Sequence, residues 1–271
     1  MVKGSSLGIG ILIFVVVIIF YINTQENPHT YSLTDSPISI ASYNLQVFGI
    51  SKASNPTLMQ QYVPLIQKYD IFLTEEIKDD SGVAFKELCD NTGYSCQLSS
   101  RAGSTSSKEQ YGIMWNNRTS LLSMEDFNLE NISGFERPPV KLLFQINRLN
   151  ITGNITSINS YNVTIYLIHT KPDNAQQEID LLEQMASADD SKYIAVMGDL
   201  NMDCDYYKGN NFVSWYQLIP QGTDTTTGST TCTYDRIIVN PQLNLLVAYS
   251  GVDGTTTKEM SDHRPVYFYL N

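Results

Sequence analysis

The sequence predicts an α/β protein in which two β-sheets pack face to face with helices outside them. About nine apolar, β-rich runs accompany only three or four helical patterns, which suits two packed sheets. The 271 residues are enough to bury a large core in one domain with an appendage. Reactive side chains recur where strands end, at Asn44, Glu76, His169, Asp199, Asn201 and Asp235, and such strand ends are where rigid elements display functional loops.

The N-terminal segment stands apart. Residues 7–22, "LGIGILIFVVVIIFYI", are continuously apolar and follow Lys3. The run is somewhat short of the roughly 20 residues of a full span, but it fits a signal sequence or signal anchor. No small-residue cleavage site follows in "NTQENPHT", which favours an uncleaved anchor. Lys3 before the run and Glu26 after it place residues 1–6 in the cytosol and the rest across the membrane. Residues 23–37 are polar, broken by Pro28 and Pro37, and read as a tether. Residues 38–271 form the folded domain.

"ISIASYNLQVF" opens that domain as a strand, and in "NPTLMQQYVPLIQKYD" Leu58, Tyr62, Leu65 and Ile66 share one helical face. "IFLTEEI" is a short strand ending in acids, and "VAFKELCDNTG" a short helix stopped by Gly93. Strands follow at "YGIMWN", "VKLLFQINRLN" and "YNVTIYLIHT". "PDNAQQEIDLLEQMASADD" is the clearest helix, with Asp173 and Gln176 as a capping pair and Ile179, Leu182 and Met185 on one face. "KYIAVMGDLN" is β-rich, and "YDRIIVN", "NLLVAYS" and "PVYFYLN" close the chain as strands.

A net charge of −11 excludes a simple basic nucleic-acid binder. It leaves room for an enzyme acting on phosphates, because a bound divalent cation supplies positive charge locally. The four cysteines agree with export and disulfide formation. Cys89 and Cys96 could close a small loop and Cys204 and Cys232 could join two later ones, although the sequence alone permits three pairings. The sequons at Asn117, Asn131, Asn150, Asn154 and Asn162 fit a glycosylated, secreted face, but several arise by chance in so Asn-, Ser- and Thr-rich a chain.

Of the three histidines, His29 falls in the tether, while His169 ends a strand and His263 begins one in "SDHRP". Any lone histidine is more often a satisfied core residue. A pair at strand boundaries is nevertheless suited to acid and base work on opposite sides of a reaction. An imidazole needs a carboxylate to fix its tautomer. Neighbours in a strand point to opposite faces, so Asp262 need not be the partner of His263, and Asp235 or Glu109 could serve the histidines. Asp199 and Asn201 would point to one side if their strand continues, pairing an acceptor with an amide donor. Glu75 or Glu76 could offer hard oxygen to Mg²⁺ or Ca²⁺, though a solvated acidic strand end is as good an account of either alone.

The order of these pieces carries more weight than any one of them. Read through, "SYNLQVFG", "LTEEIKD", "KEQYGIMW", "ERPPV", "LIHTKP", "MGDLNMDCDY", "CTYDRIIV" and "SDHRPV" resemble the deoxyribonuclease I family of the endonuclease/exonuclease/phosphatase superfamily, from about Ile38 to the C-terminus. The resemblance implies a four-layer α/β-β/α sandwich and a divalent-metal-dependent endonuclease. His169 and His263 would be the acid/base pair, oriented by Glu109 and Asp235. Glu76 would hold catalytic Mg²⁺ (or Mn²⁺) beside Asn44, with Asp199, Asn201 and Asp262 completing the metal and phosphate site. Lys78, Tyr111, Arg137 and Tyr234 join Asn44 and Asn201 as expected phosphate or DNA contacts. Cys204–Cys232 matches the family disulfide, and Asp224, Thr226 and Thr230 match a structural Ca²⁺ loop. The expected partners are DNA and, through an uncleaved anchor, a membrane; a monomer is expected.

The family often has arginine where this chain has Gln46, Lys78 and Gln110, which predicts weaker or more salt-sensitive DNA binding. Two rivals remain: a phosphodiesterase of the same superfamily acting on a lipid or other phosphoester, and an inactive fold used as a binding module. The complete set of candidate residues weighs against the second.

Overall fold

The computed structural model describes residues 36–104, 108–130, 132–152 and 155–271, with no side chains described over 149–157. The expected anchor, most of the tether, and the sequons at Asn131 and Asn154 lie outside the described residues. Among the described residues no helix is long and apolar enough to cross a membrane. Asn117 and Asn162 are exposed.

Alternation of apolar residues over 38–48 makes β1 (Ile38–Phe48) a strand, and its central position in a six-stranded sheet buries both its faces. It pairs parallel with β2 (Ile71–Ile77) and antiparallel with β12 (Val266–Leu270). Beyond β12 lies β11 (Val247–Val252), and beyond β2 lie β4 (Gln110–Trp115) and then β3 (Ser95–Leu98). The second sheet runs β5 (Thr119–Asp126), β6 (Val140–Thr152), β7 (Ile155–Leu167), β8 (Ile194–Asp199), β10 (Asp235–Val239) and β9 (Tyr216–Gln217). It too is mixed, since β7 and β8 are parallel while its other pairs are antiparallel.

Three apolar clusters divide the molecule into four layers. Ile40, Leu73, Ile113, Phe144, Ile165, Met197, Ile237 and Phe268 meet between the sheets. Helices α1 (Ile50–Ala53), α2 (Pro56–Ile66) and α3 (Val83–Thr92) cover the first sheet through Tyr62, Leu65, Phe85 and Leu88. Helix α4 (Ala175–Ala188) covers the second through Ile179, Leu182 and Ala186, and α5 (Pro241–Asn244) is a single turn before β11. Asn55 caps α2, its side chain accepting the Thr57 and Leu58 N–H groups ahead of Pro56 at the first position.

The long helix starts differently from expectation. Pro172 opens a 3₁₀ turn over Pro172–Asn174, so the α-helix begins at Ala175 and Asp173 caps nothing. Gln176 donates instead to Asp180 and Asn211. The β6–β7 hairpin is also longer than its apolar core suggested. Both disulfides are formed, Cys89–Cys96 and Cys204–Cys232.

The C-terminal ends of β1, β2 and β8 and the starts of β4, β10 and β12 open at one end of the sandwich. This follows from Asn44, in the second half of β1, bonding to Asp199 at the end of β8, and from Asp235 at the start of β10 bonding to His263 just before β12.

Candidate active site

The two histidines converge on one oxygen. Asp199 Oδ2 lies 3.5 Å from His169 Nε2 and 3.4 Å from His263 Nε2. Behind each ring stands its own carboxylate: Glu109 Oε1 is 2.5 Å from His169 Nδ1, and Asp235 Oδ2 is 2.9 Å from His263 Nδ1. A carboxylate at Nδ1 holds the ring and leaves Nε2 turned to the reacting face.

Local backbone geometry makes this convergence possible. Gly198 has φ 132°, and a Cβ there would lie 2.1 Å from the Ile168 carbonyl oxygen, so only glycine lets β8 run this close to the segment that carries His169. Four non-glycine residues at strand ends take left-handed φ: Gln46 (46°), Val47 (56°), Glu76 (60°) and Asn201 (47°). Backbone outliers of this kind gather at functional sites. They turn Glu76 so that its Oε1 accepts from Asn44 Nδ2 (3.2 Å) and its Oε2 from Val47 N (2.9 Å). The same Asn44 amide donates to Asp199 Oδ2 at 3.0 Å.

Charge is shared unevenly. Burial by itself would raise the Glu109 pKa, but His169, Arg137 and Lys78 outweigh it and hold it at about 2. Burial opposes a charged imidazole at His263, yet Asp235 and Asp199 overcome that and raise its pKa well above the ordinary value. At Asp199, burial is likewise outweighed by His263 and His169, which keep it ionised.

A model of the endonuclease/exonuclease/phosphatase family matches residues 41–263. The chain belongs to that family. Deoxyribonuclease-1 of Bos taurus is 29% identical over 266 residues, covering 84% of this chain and 90% of that protein. Deoxyribonuclease-1 of Homo sapiens is 29% identical over 271 residues, covering 86% of this chain and 92% of that protein. Among solved structures, D. rerio TDP2 with a single-strand DNA product shares the fold at TM-score 0.60 and 15% identity, over 88% of this chain and 100% of that one.

Within this family member several expected site residues face elsewhere. Tyr111 is 2% exposed; its hydroxyl donates to the Arg137 carbonyl and accepts the His169 N–H, so it braces the site and reaches no DNA. Lys78 turns inward to Glu109 Oε2 at 2.6 Å. Arg137 donates to the carbonyls of His169 and Thr170 and sits 3.3 Å from Glu109. The β8 strand stops at Asp199, so Asn201 does not share its face; Asn201 Nδ2 donates to the Thr170 carbonyl. Glu75 points into the protein, where it accepts from Ser42 and burial keeps its pKa well above the carboxylate range, so it is no metal ligand. Asp262 is half-exposed at the rim, 3.9 Å from His263 Nε2, and Tyr234 packs its ring against His263.

Hard-oxygen chemistry fits Glu76, which forms no ion pair among the described residues and stands beside Asn44. Asp199, Asp235 and His263 also bring ligand atoms within 4.8 Å of one another. Both ring nitrogens of His263 face carboxylates there, Nδ1 at 2.9 Å from Asp235 and Nε2 at 3.4 Å from Asp199, which suits a charged imidazole between them. Asp224, Thr226 and Thr230 form one closed loop, Asp224 Oδ1 accepting from Thr226 and Thr226 Oγ1 donating to the Thr230 carbonyl. That loop is bonded directly to the segment bearing His263, through Thr227 N to the Asp262 carbonyl and Arg264 N to the Thr225 carbonyl.

Sequence reasoning missed Glu178 and Lys52. The fully buried Glu178 carboxylate accepts the N–H of Glu136 through one oxygen (2.9 Å) and that of Lys171 through the other (3.0 Å). It thereby fixes the loop that ends in Arg137 to the loop that follows His169. Lys52 Nζ donates to the Leu45 and Met260 carbonyls, tying β1 to the turn before His263.

Proposed function

We propose that the chain is a divalent-metal-dependent endonuclease that hydrolyses DNA phosphodiester bonds with His169 and His263 as an acid/base pair. The observation that carries this reading is the meeting of two carboxylate-backed Nε2 atoms at one oxygen. Hydrolysis of a phosphodiester needs a water deprotonated for in-line attack, a proton for the leaving oxygen, and positive charge at the phosphoryl group. One imidazole takes the proton from water as the new P–O bond forms. The other gives its proton to the leaving oxygen as the old bond breaks; the raised pKa of His263 suits it to that donor role. Glu109 and Asp235 steady the charged rings, and Asp199 stabilises whichever imidazole is protonated. Glu76, Asn44 and Asp262 would hold Mg²⁺ or Mn²⁺, whose chemistry is to place positive charge on the phosphoryl oxygens. Asp224, Thr226 and Thr230 would hold Ca²⁺ and stiffen the His263 segment. Asn44 and Tyr234 are the phosphate contacts, while Arg137 and Asn201 act through the backbone that carries His169. The two disulfides support folding in the secretory pathway.

The test is nicking of supercoiled plasmid by the purified, disulfide-intact protein. Nicking should require Mg²⁺, stop in EDTA, and fall by about 10² or more in His169→Ala and in His263→Ala. Intact plasmid alongside hydrolysis of a phospholipid would place the chain with phosphodiesterases of another substrate. A folded protein that hydrolyses neither would be a binding module.

A further inference from the structure

Val47 combines three properties found together at no other residue of the site. It is β-branched yet holds φ 56°, a conformation such side chains rarely adopt. Its N–H is fixed to Glu76 Oε2 at 2.9 Å, three hydrogen bonds from Asp199 by way of Glu76 and Asn44. Its side chain is nevertheless 60% exposed, and Ile50, three residues on, is 51% exposed. The flanking Gln46 bends away, its Oε1 accepting the Asp262 N–H. Strain held in place beside a reactive centre points to a use for the group it displays.

The surrounding cations sharpen the point. Lys78 is paired with Glu109, Arg137 is bonded to the His169 and Thr170 carbonyls, and Lys52 is bonded to the Leu45 and Met260 carbonyls. A substrate arriving at this rim meets apolar surface where a charged grip would be expected. Proteins that enter the DNA minor groove use apolar side chains as wedges against sugars and bases.

Resting on the endonuclease reading, we propose that Val47 contacts substrate directly, packing on the sugar and base face beside the scissile phosphate, so that duplex engagement depends on apolar contact at this rim. The contact removes a valine side chain from water, and its loss should weaken engagement about five- to tenfold.

Val47→Asn tests this cleanly, because asparagine tolerates left-handed φ better than valine while removing the apolar surface; Val47→Leu keeps the surface. Each variant, checked for folding by circular dichroism, is compared with wild type on supercoiled plasmid and on bis(4-nitrophenyl) phosphate, a diester too small to reach the rim. The ratio of kcat/KM on plasmid to kcat/KM on the small diester should drop about five- to tenfold in Val47→Asn and stay within about twofold in Val47→Leu. A wild type that nicks plasmid and a Val47→Asn ratio that does not change would overturn the rim contact alone. A wild type that cleaves the small diester but no plasmid would overturn the endonuclease reading and this proposal with it.

Discussion

Asp235 is where a single carboxylate should be most visible in solution. It is the largest of the attractions that raise the His263 pKa against burial. The charged imidazole is the form it stabilises, so that form persists below the raised pKa and is lost as pH rises through it. Asp235→Asn removes the negative charge but keeps a polar group, and the folded-state pKa of His263 should fall. The alkaline limb of plasmid nicking then moves to lower pH, and the His263 ring signal in an NMR titration moves with it; a limb that stays in place would separate activity from this histidine's charge. At this scale the sequence told a partial story. The two histidines stood out at strand boundaries, but Glu109 lies 60 residues from His169, and the residues alone left open which of Glu109 and Asp235 serves which ring until the ordered resemblance paired them. Tyr111 was misread because burial of a hydroxyl bonded to backbone leaves no mark in the sequence.

Helix α4 does more than cover the second sheet. Its Glu178 accepts two backbone N–H groups from two different loops, a task that needs both carboxylate oxygens. In Glu178→Gln one of those N–H groups would face an NH₂ donor, leaving it unsatisfied in the interior. The expected destabilisation is about 1–3 kcal/mol by urea unfolding. Because the loops deliver Arg137 and His169, kcat should fall about tenfold or more while KM changes little; a loss of stability with kcat intact would limit Glu178 to scaffolding. Such a residue is illegible in sequence, since backbone amides are everywhere and its position reads simply as a helical acid. Elements were legible to the extent that they were apolar. The central strands β1, β2 and β8 declared themselves, whereas β3, half-exposed at a sheet edge, and β5, "TSLLSMED", carry too many polar residues to signal a strand. The two-residue β9 carries too little pattern of any kind.

The molecule as a whole rests on carboxylates held ionised by their neighbours. At Glu109, Asp189 and Asp253 burial pushes the pKa up, but cations and hydrogen bonds outweigh it and hold each at about 2. A group with a depressed folded pKa contributes stability above its unfolded value and loses it as pH falls towards the folded one. Stability should therefore decline as pH drops from about 4.5 towards about 2, with Glu109 accounting for about 3 kcal/mol of the loss. Urea unfolding of wild type and Glu109→Gln at pH 7 and pH 3 measures this: the variant should start less stable and lose less on acidification. Equal losses would mean that the Glu109 cluster does not hold its charge in solution.

The direction of β1 has a consequence of its own. The chain enters the sandwich at Ser36 and Pro37, whose carbonyls are gripped by the Arg118 guanidinium, itself bonded to Asp70. From Ile38 the strand runs through the sheet to the buried Asn44 of the site, about 20 Å further on. The point of entry and the catalytic mouth are thus opposite poles of one strand. A pull applied to the chain ahead of Ser36 would be borne by the Arg118 clasp, at the pole of the strand away from the site.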